Sequence, residues 1–132
     1  MEVDDRDALI ATSRSRSEGD TGNRNILTSI YWMLTAEDQC GCWIDNLSTH
    51  IHYHHGGGPI RYHIVDPVTG RYETRLLEPP TCAGAEPQLV VPGGVWKVSR
   101  LEDGAEYALI GEAVAPGFDA RDLVLVTAEM LR

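Results

Sequence analysis

Basic residues are scarce in this chain and scattered along it. Lys and Arg together number 11, against 20 Asp and Glu, so the formal charge is −9 over 132 residues. The densest basic stretch, Arg14-Ser15-Arg16, lies inside a polar segment. A nucleic-acid binder needs a basic footprint to neutralise phosphates, and an anionic membrane surface repels such a chain. The expectation is no nucleic acid and no membrane. No apolar run approaches the roughly 18–20 residues of a membrane span. Met1-Glu2-Val3-Asp4-Asp5 is acidic with no apolar stretch behind it, unlike a secretory leader, so a cytoplasmic location is expected. Cysteine is also rare. Cys40, Cys42 and Cys82 form an odd set that fits reduced thiols. Cys40-Gly41-Cys42 lacks both the spacing and the second pair that structural zinc uses. Nucleophile elbows of the Gly-x-Ser-x-Gly type and phosphate loops ending in Gly-Lys are missing. Helical periodicity and internal repeats are nearly absent as well.

What remains is strand-like. The length suits one domain. Ile26 to Leu34 is β-branched, aromatic and almost continuously apolar, the pattern of a strand covered on both faces. Cys40 to Asp45 and Thr49 to His55 read as short strands. Pro59 to Asp66 alternates Ile60, Tyr62 and Ile64 with Arg61, His63 and Val65, a period of two. Asp66-Pro67-Val68-Thr69-Gly70 is a hairpin turn, and Arg71 to Leu77 returns from it. Gln88–Val91, Val95–Leu101, Tyr107–Val114 and Leu123–Thr127 complete the set, separated by Gly- and Pro-rich turns. Asp7 to Thr12 reads as a short strand or helical turn, Arg14 to Asn25 as a loop, and Ala128 to Arg132 as a frayed helix. The division expected is an N-terminal strand or loop extension over 1–25, a β-barrel over 26–127 and a tail over 128–132. About eight or nine short strands at this spacing mark an all-β sandwich or barrel.

Three segments narrow the reading. They are Thr28-Ser29-Ile30-Tyr31-Trp32-Met33-Leu34-Thr35, then Gln88-Leu89-Val90-Val91-Pro92-Gly93-Gly94-Val95-Trp96-Lys97, then Tyr107 to Gly111 leading into Val114-Ala115-Pro116-Gly117-Phe118-Asp119. Gly57-Gly58-Pro59-Ile60 lies between the first two. In this order they resemble the cupin 5 family of the cupin superfamily. The resemblance implies a double-stranded β-helix, a jelly-roll barrel similar to the sugar epimerases of deoxysugar pathways, and a homodimer. The general cupin pattern carries two metal motifs. Aligned on Gly57, Pro92 and Gly94, its ligand positions become Ile44, Asn46, His50 and Lys97. Ile44 cannot ligate and Lys97 is itself a cation, so the resemblance implies no metal of the common kind and no other cofactor.

The histidine run Thr49-His50-Ile51-His52-Tyr53-His54-His55 carries the candidate chemistry. A strand places His50, His52 and His54 on one face. Same-face neighbours stand about 7 Å apart, awkward for three ligands to one ion. Histidine exchanges protons near neutrality, and a buried lysine has a lowered pKa. The expected function is therefore a metal-independent small-molecule enzyme of isomerase, cyclase or lyase type. His50 would be the general acid or base, Lys97 would stabilise a developing oxyanion, and His52 would assist. Asn46, His54, Trp32, Trp43 and Tyr62 would bind substrate. Two alternatives stay open: a non-catalytic small-molecule-binding cupin, and a metal-dependent cupin with ligands relocated among His50, His52, His54, His63 or the Cys40/Cys42 pair.

Overall fold

The computed structural model describes residues 25–131 apart from Cys82. The element expected at Asp7–Thr12 and nearly all of the loop after it lie outside the described residues. Nine strands follow in chain order: β1 (Thr28–Thr35), β2 (Ile44–Asn46), β3 (Thr49–Gly57), β4 (Ile60–Val65), β5 (Tyr72–Leu77), β6 (Gln88–Val91), β7 (Trp96–Leu101), β8 (Tyr107–Ala115) and β9 (Leu123–Leu125). The only helical element among the described residues is a 3-10 turn, Ala120–Asp122.

The strands form two antiparallel sheets, ordered β1-β8-β3-β6 and β5-β4-β7-β2-β9. Leu34, Trp32, Leu89, Ala108 and Ile110 from the first sheet pack against Ile60, Tyr62, Ile64, Leu77 and Leu101 from the second. Full burial of an aliphatic side chain of this kind stabilises by about 1.5–3 kcal/mol. The two-residue period read from Ile60, Tyr62 and Ile64 appears as strict alternation of buried and half-buried positions in β4. At one side the sheets approach each other: Leu77 and Glu86 form an isolated bridge, and Glu78 N–H donates to the Glu86 carbonyl at 3.0 Å. The edges on the other side are β1 and β9.

Three expectations need correction. β1 is an edge strand paired only with β8, and Tyr31 and Met33 are 76% and 54% exposed, so it is not covered on both faces. Apolar, β-branched composition reports strand propensity, not position within a sheet. The strand expected at Cys40 begins at Ile44; Cys40 makes only an isolated bridge to Arg100. Residues 128–131 are turns, not a helix.

One corner places the site. Gly93 carries no side chain because a Cβ there would lie 2.1 Å from the Leu47 carbonyl oxygen. Gly94 N–H donates to the Asn46 carbonyl at 2.8 Å. The Pro92-Gly93-Gly94 turn thus clamps the Leu47-Ser48 link, where the chain leaves β2 in one sheet and enters β3 in the other.

Candidate functional site

β3 runs between β8 and β6, and its register sets His50 opposite Val114 and Val91, and His52 opposite Glu112 and Leu89. Cross-strand partners share a face. His50, His52 and Glu112 therefore all enter the barrel, flanked by aliphatic side chains. From the other sheet β7 sends Lys97 inward, opposite Ile64 and Ile44, and β4 sends Tyr62. All five side chains are buried, and His52 and Tyr62 are almost wholly enclosed.

Their contacts are specific. His50 Nδ1 bonds to Glu112 Oε1. Lys97 Nζ lies 3.3 Å from the same carboxylate oxygen and 3.0 Å from His52 Nε2. The His52 and Tyr62 rings meet with centroids 4.7 Å apart. Lys97 is the only lysine in the chain.

Each charge state follows from its surroundings. Burial alone would raise the Glu112 carboxyl, but the hydrogen bond from His50 and the Lys97 charge outweigh it and hold the group at about 2. Burial lowers Lys97 to about 8, with Glu112 pulling the other way. Burial and then the Lys97 charge lower His52 to about 3. Burial also lowers His50, against its hydrogen bond to Glu112. Burial, helped by the Glu112 charge, raises the Tyr62 phenol. At neutral pH the site holds a carboxylate, an ammonium, two neutral imidazoles and an intact phenol.

These states decide both tautomers. An ionised carboxylate only accepts, so His50 carries its proton on Nδ1 and leaves Nε2 as a bare lone pair. An ammonium only donates, so His52 accepts at Nε2 and carries its proton on Nδ1. His50 Nε2, His52 Nδ1 and the Tyr62 hydroxyl are buried with no protein partner. The protein therefore presents one base and two donors, all unspent. Buried polar groups left without partners are costly, and native folds seldom keep three together unless something else satisfies them.

The other expected site residues are dispersed. Asn46 is buried on the same inward face as Ile44; its Oδ1 accepts from Ser48 N–H at 2.8 Å and its Nδ2 has no partner. The His54 ring turns to the Gly58 carbonyl, 2.8 Å from Nε2, and a bulge follows it in β3. Trp32 lies over Gly41, where a Cβ would stand 2.9 Å from the indole, among the core residues. Trp43 is half-buried just before β2, where its carbonyl accepts from Val126 N–H at 3.0 Å. His63 stacks on Tyr72, and Cys40 and Cys42 are exposed. Sequence reading missed Glu112. Its signal was a lone charge at an inward position of β8, between Ile110 and Val114.

Donor atoms of His50, His52 and Glu112 lie within 4.8 Å of one another, the kind of set a transition metal accepts. Lys97 already takes two of those groups with its own positive charge. With Lys97 protonated the set does not fit a metal ion, because cation and ammonium would compete for the same lone pairs.

A family model described as Cupin superfamily (DUF985) matches residues 2–126. An uncharacterised protein of Saccharomyces cerevisiae is 34% identical over 119 residues, spanning 84% of this chain and 58% of its own length. The chain thus spans less than two-thirds of that relative. A crystal structure of a Shewanella oneidensis protein superposes with a TM-score of 0.75 at 28% identity, covering 89% of this chain and 72% of the other. A hypothetical protein from Leishmania major gives 0.75 at 28%, covering 90% and 76%. A dTDP sugar isomerase from Desulfovibrio desulfuricans shares the fold, with a TM-score of 0.67 at 15% identity over 88% of this chain and 74% of its own.

Proposed function

From the premise that the chain belongs to the cupin superfamily (DUF985), we propose that it is a small-molecule enzyme that moves a proton within its substrate, of isomerase, cyclase or lyase type. The observation that carries this reading is the bare Nε2 of His50, presented by a buried imidazole whose other nitrogen is tied to Glu112. Such a base takes a proton from an acidic C–H or O–H, and Glu112 stabilises the imidazolium that forms. With a carbonyl compound, the C–H electron pair moves to oxygen as an enolate. The Tyr62 hydroxyl, His52 Nδ1–H and the third N–H of Lys97 are the donors on hand for that charge. Return of the proton to a different position, or face, completes the isomerisation. Nothing is consumed.

Proton transfer is tested by incubating the protein in D2O with a panel of enolisable ketones and following deuterium uptake by NMR. Catalysed exchange that disappears in His50→Gln supports the reading. Equal exchange in the wild type and in His50→Gln overturns it. Binding without exchange identifies a non-catalytic binding protein instead.

A metal-dependent reading has one observation in its favour, the convergence of His50, His52 and Glu112 donors. Elemental analysis of untagged protein never exposed to chelator decides it. Metal near one equivalent per chain, with Lys97 displaced, would put the metal reading first.

We also propose a homodimer formed through the outward face of the β1-β8-β3-β6 sheet. Its strand positions, among them Tyr31, Met33, Ile51, Tyr53, Val90 and Leu109, carry no Asp, Glu, Lys or Arg. In a chain of charge −9, this is a face that two copies can bring together without repulsion.

A further inference from the structure

We infer that the molecule held in this barrel is uncharged, with an apolar body and a carbonyl or hydroxyl head, and is not a phosphorylated or carboxylated compound. The inference rests on the reading of the His50 cluster as a ligand site and names the class of ligand.

Charge is the first ground. Register assigns two cations to inward-facing strand positions among the described residues: Lys97, and Arg75 opposite Tyr62. Both already have a carboxylate partner. Lys97 faces Glu112, and Arg75 donates through both Nε and NH2 to Glu86. The Arg75–Glu86 pair is partly exposed, but an anionic ligand that drew Lys97 away would strand the Glu112 carboxylate in a low-dielectric interior. It would also approach a chain of charge −9.

The second ground is the apolar border of the cluster. Ile30 on β1 is the cross-strand partner of Glu112, and Leu125 on β9 is the partner of Ile44, itself the partner of Lys97. Cross-strand partners point the same way, so both side chains turn toward the barrel interior. Yet they are 56% and 62% exposed. They belong to β1 and β9, the two edges opposite the side where β5 and β6 draw together. A ligand reaching the polar cluster from this edge would pass between aliphatic side chains contributed by both sheets. A ligand that covers Ile30 and Leu125 with apolar surface gains from their removal from water.

The third ground is the head group. Two donors, His52 Nδ1–H and Tyr62 O–H, and one acceptor, His50 Nε2, stand unpartnered. A neutral carbonyl with an acidic hydrogen beside it, or a hydroxyl, offers both an acceptor for such donors and a hydrogen for such an acceptor. An ionised phosphate or carboxylate has no hydrogen to give the acceptor, and brings a resting negative charge beside Glu112, whose one close counter-charge is Lys97.

The test uses one aromatic body with different heads: 2-acetylnaphthalene, 2-naphthoate, 2-ethylnaphthalene and, as a phosphorylated control, dTDP. Binding to the full chain is followed by histidine-labelled 15N NMR, and the acetyl deuterium content is read in the same tubes. The ketone is expected to bind at least about tenfold tighter than the carboxylate or the hydrocarbon, a gap of about 1.4 kcal/mol. It should shift the His50 and His52 nitrogens, and lose at least about tenfold in affinity in Leu125→Glu and Ile30→Glu. Tighter binding of 2-naphthoate or dTDP, or no ketone binding up to its solubility limit, overturns the inference. So does ketone binding unaffected by both substitutions. Ketone binding without deuterium uptake leaves the ligand class standing and removes the proton-transfer reading. Anion binding with exchange of the ketone does the reverse.

Discussion

Glu112 accepts a hydrogen bond from His50 Nδ1 and faces Lys97 Nζ with the same oxygen, so one carboxylate both orients the base and neutralises the only lysine. Removing its charge should be felt in stability first. Glu112→Gln leaves Lys97 buried with no counter-charge, a loss of about 3–5 kcal/mol for one partner of a buried pair. Glu112→Gln combined with Lys97→Met should recover most of that loss, because no unpaired charge remains. Urea midpoints of the single and double variants check it. A double variant no more stable than Glu112→Gln would show that the pair is not the source.

The same carboxylate sets the His50 tautomer. In wild type, 15N spectra should show His50 protonated at Nδ1 with a bare Nε2 at neutral pH. In Glu112→Gln that preference should weaken, and any catalysed exchange should fall by about 10²- to 10⁴-fold, the usual worth of a general base. A wild-type spectrum with the proton on Nε2 would remove His50 from the role of base.

Stability should fall with acid over a defined window. The unfolded chain binds a proton at His52 below 6.5, which the folded protein refuses until about 3. Unfolding therefore gains one proton across that range, and stability declines from pH 6.5 toward 3. His50, lowered by burial, acts in the same direction. Glu112, at about 2 against an ordinary 4.5, adds to the loss below 4.5. On the alkaline side Lys97 has the opposite consequence. Between about 8 and 10.5 the unfolded chain holds the extra proton, so this group makes the fold more stable as pH rises. Tyr62, raised by burial, opposes that gain above its ordinary value of 10.0. Urea midpoints between pH 7 and 4 should drop less in His52→Gln than in wild type. Equal slopes would refute a neutral His52.

Lys97 can be watched alone. Lysine labelled with 13C at Cε gives one resonance, which should titrate with a midpoint near 8, where an exposed lysine titrates near 10.5. Any exchange activity that uses the ammonium should decline through the same midpoint. A midpoint at the ordinary value would place Lys97 in solvent.

The dimer proposal is tested on the outer sheet face. Met33→Glu and Leu109→Glu each place a carboxylate on an uncharged surface of two acidic chains. Light scattering should report a dimer for the wild type and a monomer for the paired variant, with the strand signal in circular dichroism unchanged. A wild-type monomer, or a dimer indifferent to both substitutions, would refute this interface.

Much of the fold was readable from alternation. Gln88–Val91 has the strand bounds the turn residues implied, and Ile60, Tyr62 and Ile64 face the core as their spacing required. The turn at Pro92-Gly93-Gly94 was visible as glycine and proline, although its reason, the close approach of Leu47, is a tertiary contact. His50, His52, Lys97 and Tyr62 come together from the candidates named on sequence. Glu112 was overlooked because it sits 62 residues from His50 and carries no local motif. His54 shares the parity of the other two histidines, but the bulge and the hairpin to Gly58 claim its ring. Parity along a strand predicts the side a residue starts from, and a hydrogen bond to the next turn decides where its ring ends.

Strand β1 has two faces with different tasks. Ile30 looks inward beside Glu112, and its neighbours Tyr31 and Met33 look outward on the uncharged surface. A molecule in the barrel and a second copy of the chain would therefore press on opposite sides of one edge strand. Thermodynamic reciprocity then binds the two events together: any compound that prefers the dimer must tighten the dimer by the same factor. Self-association measured at several ligand concentrations would thus report on occupancy of a site that it never touches.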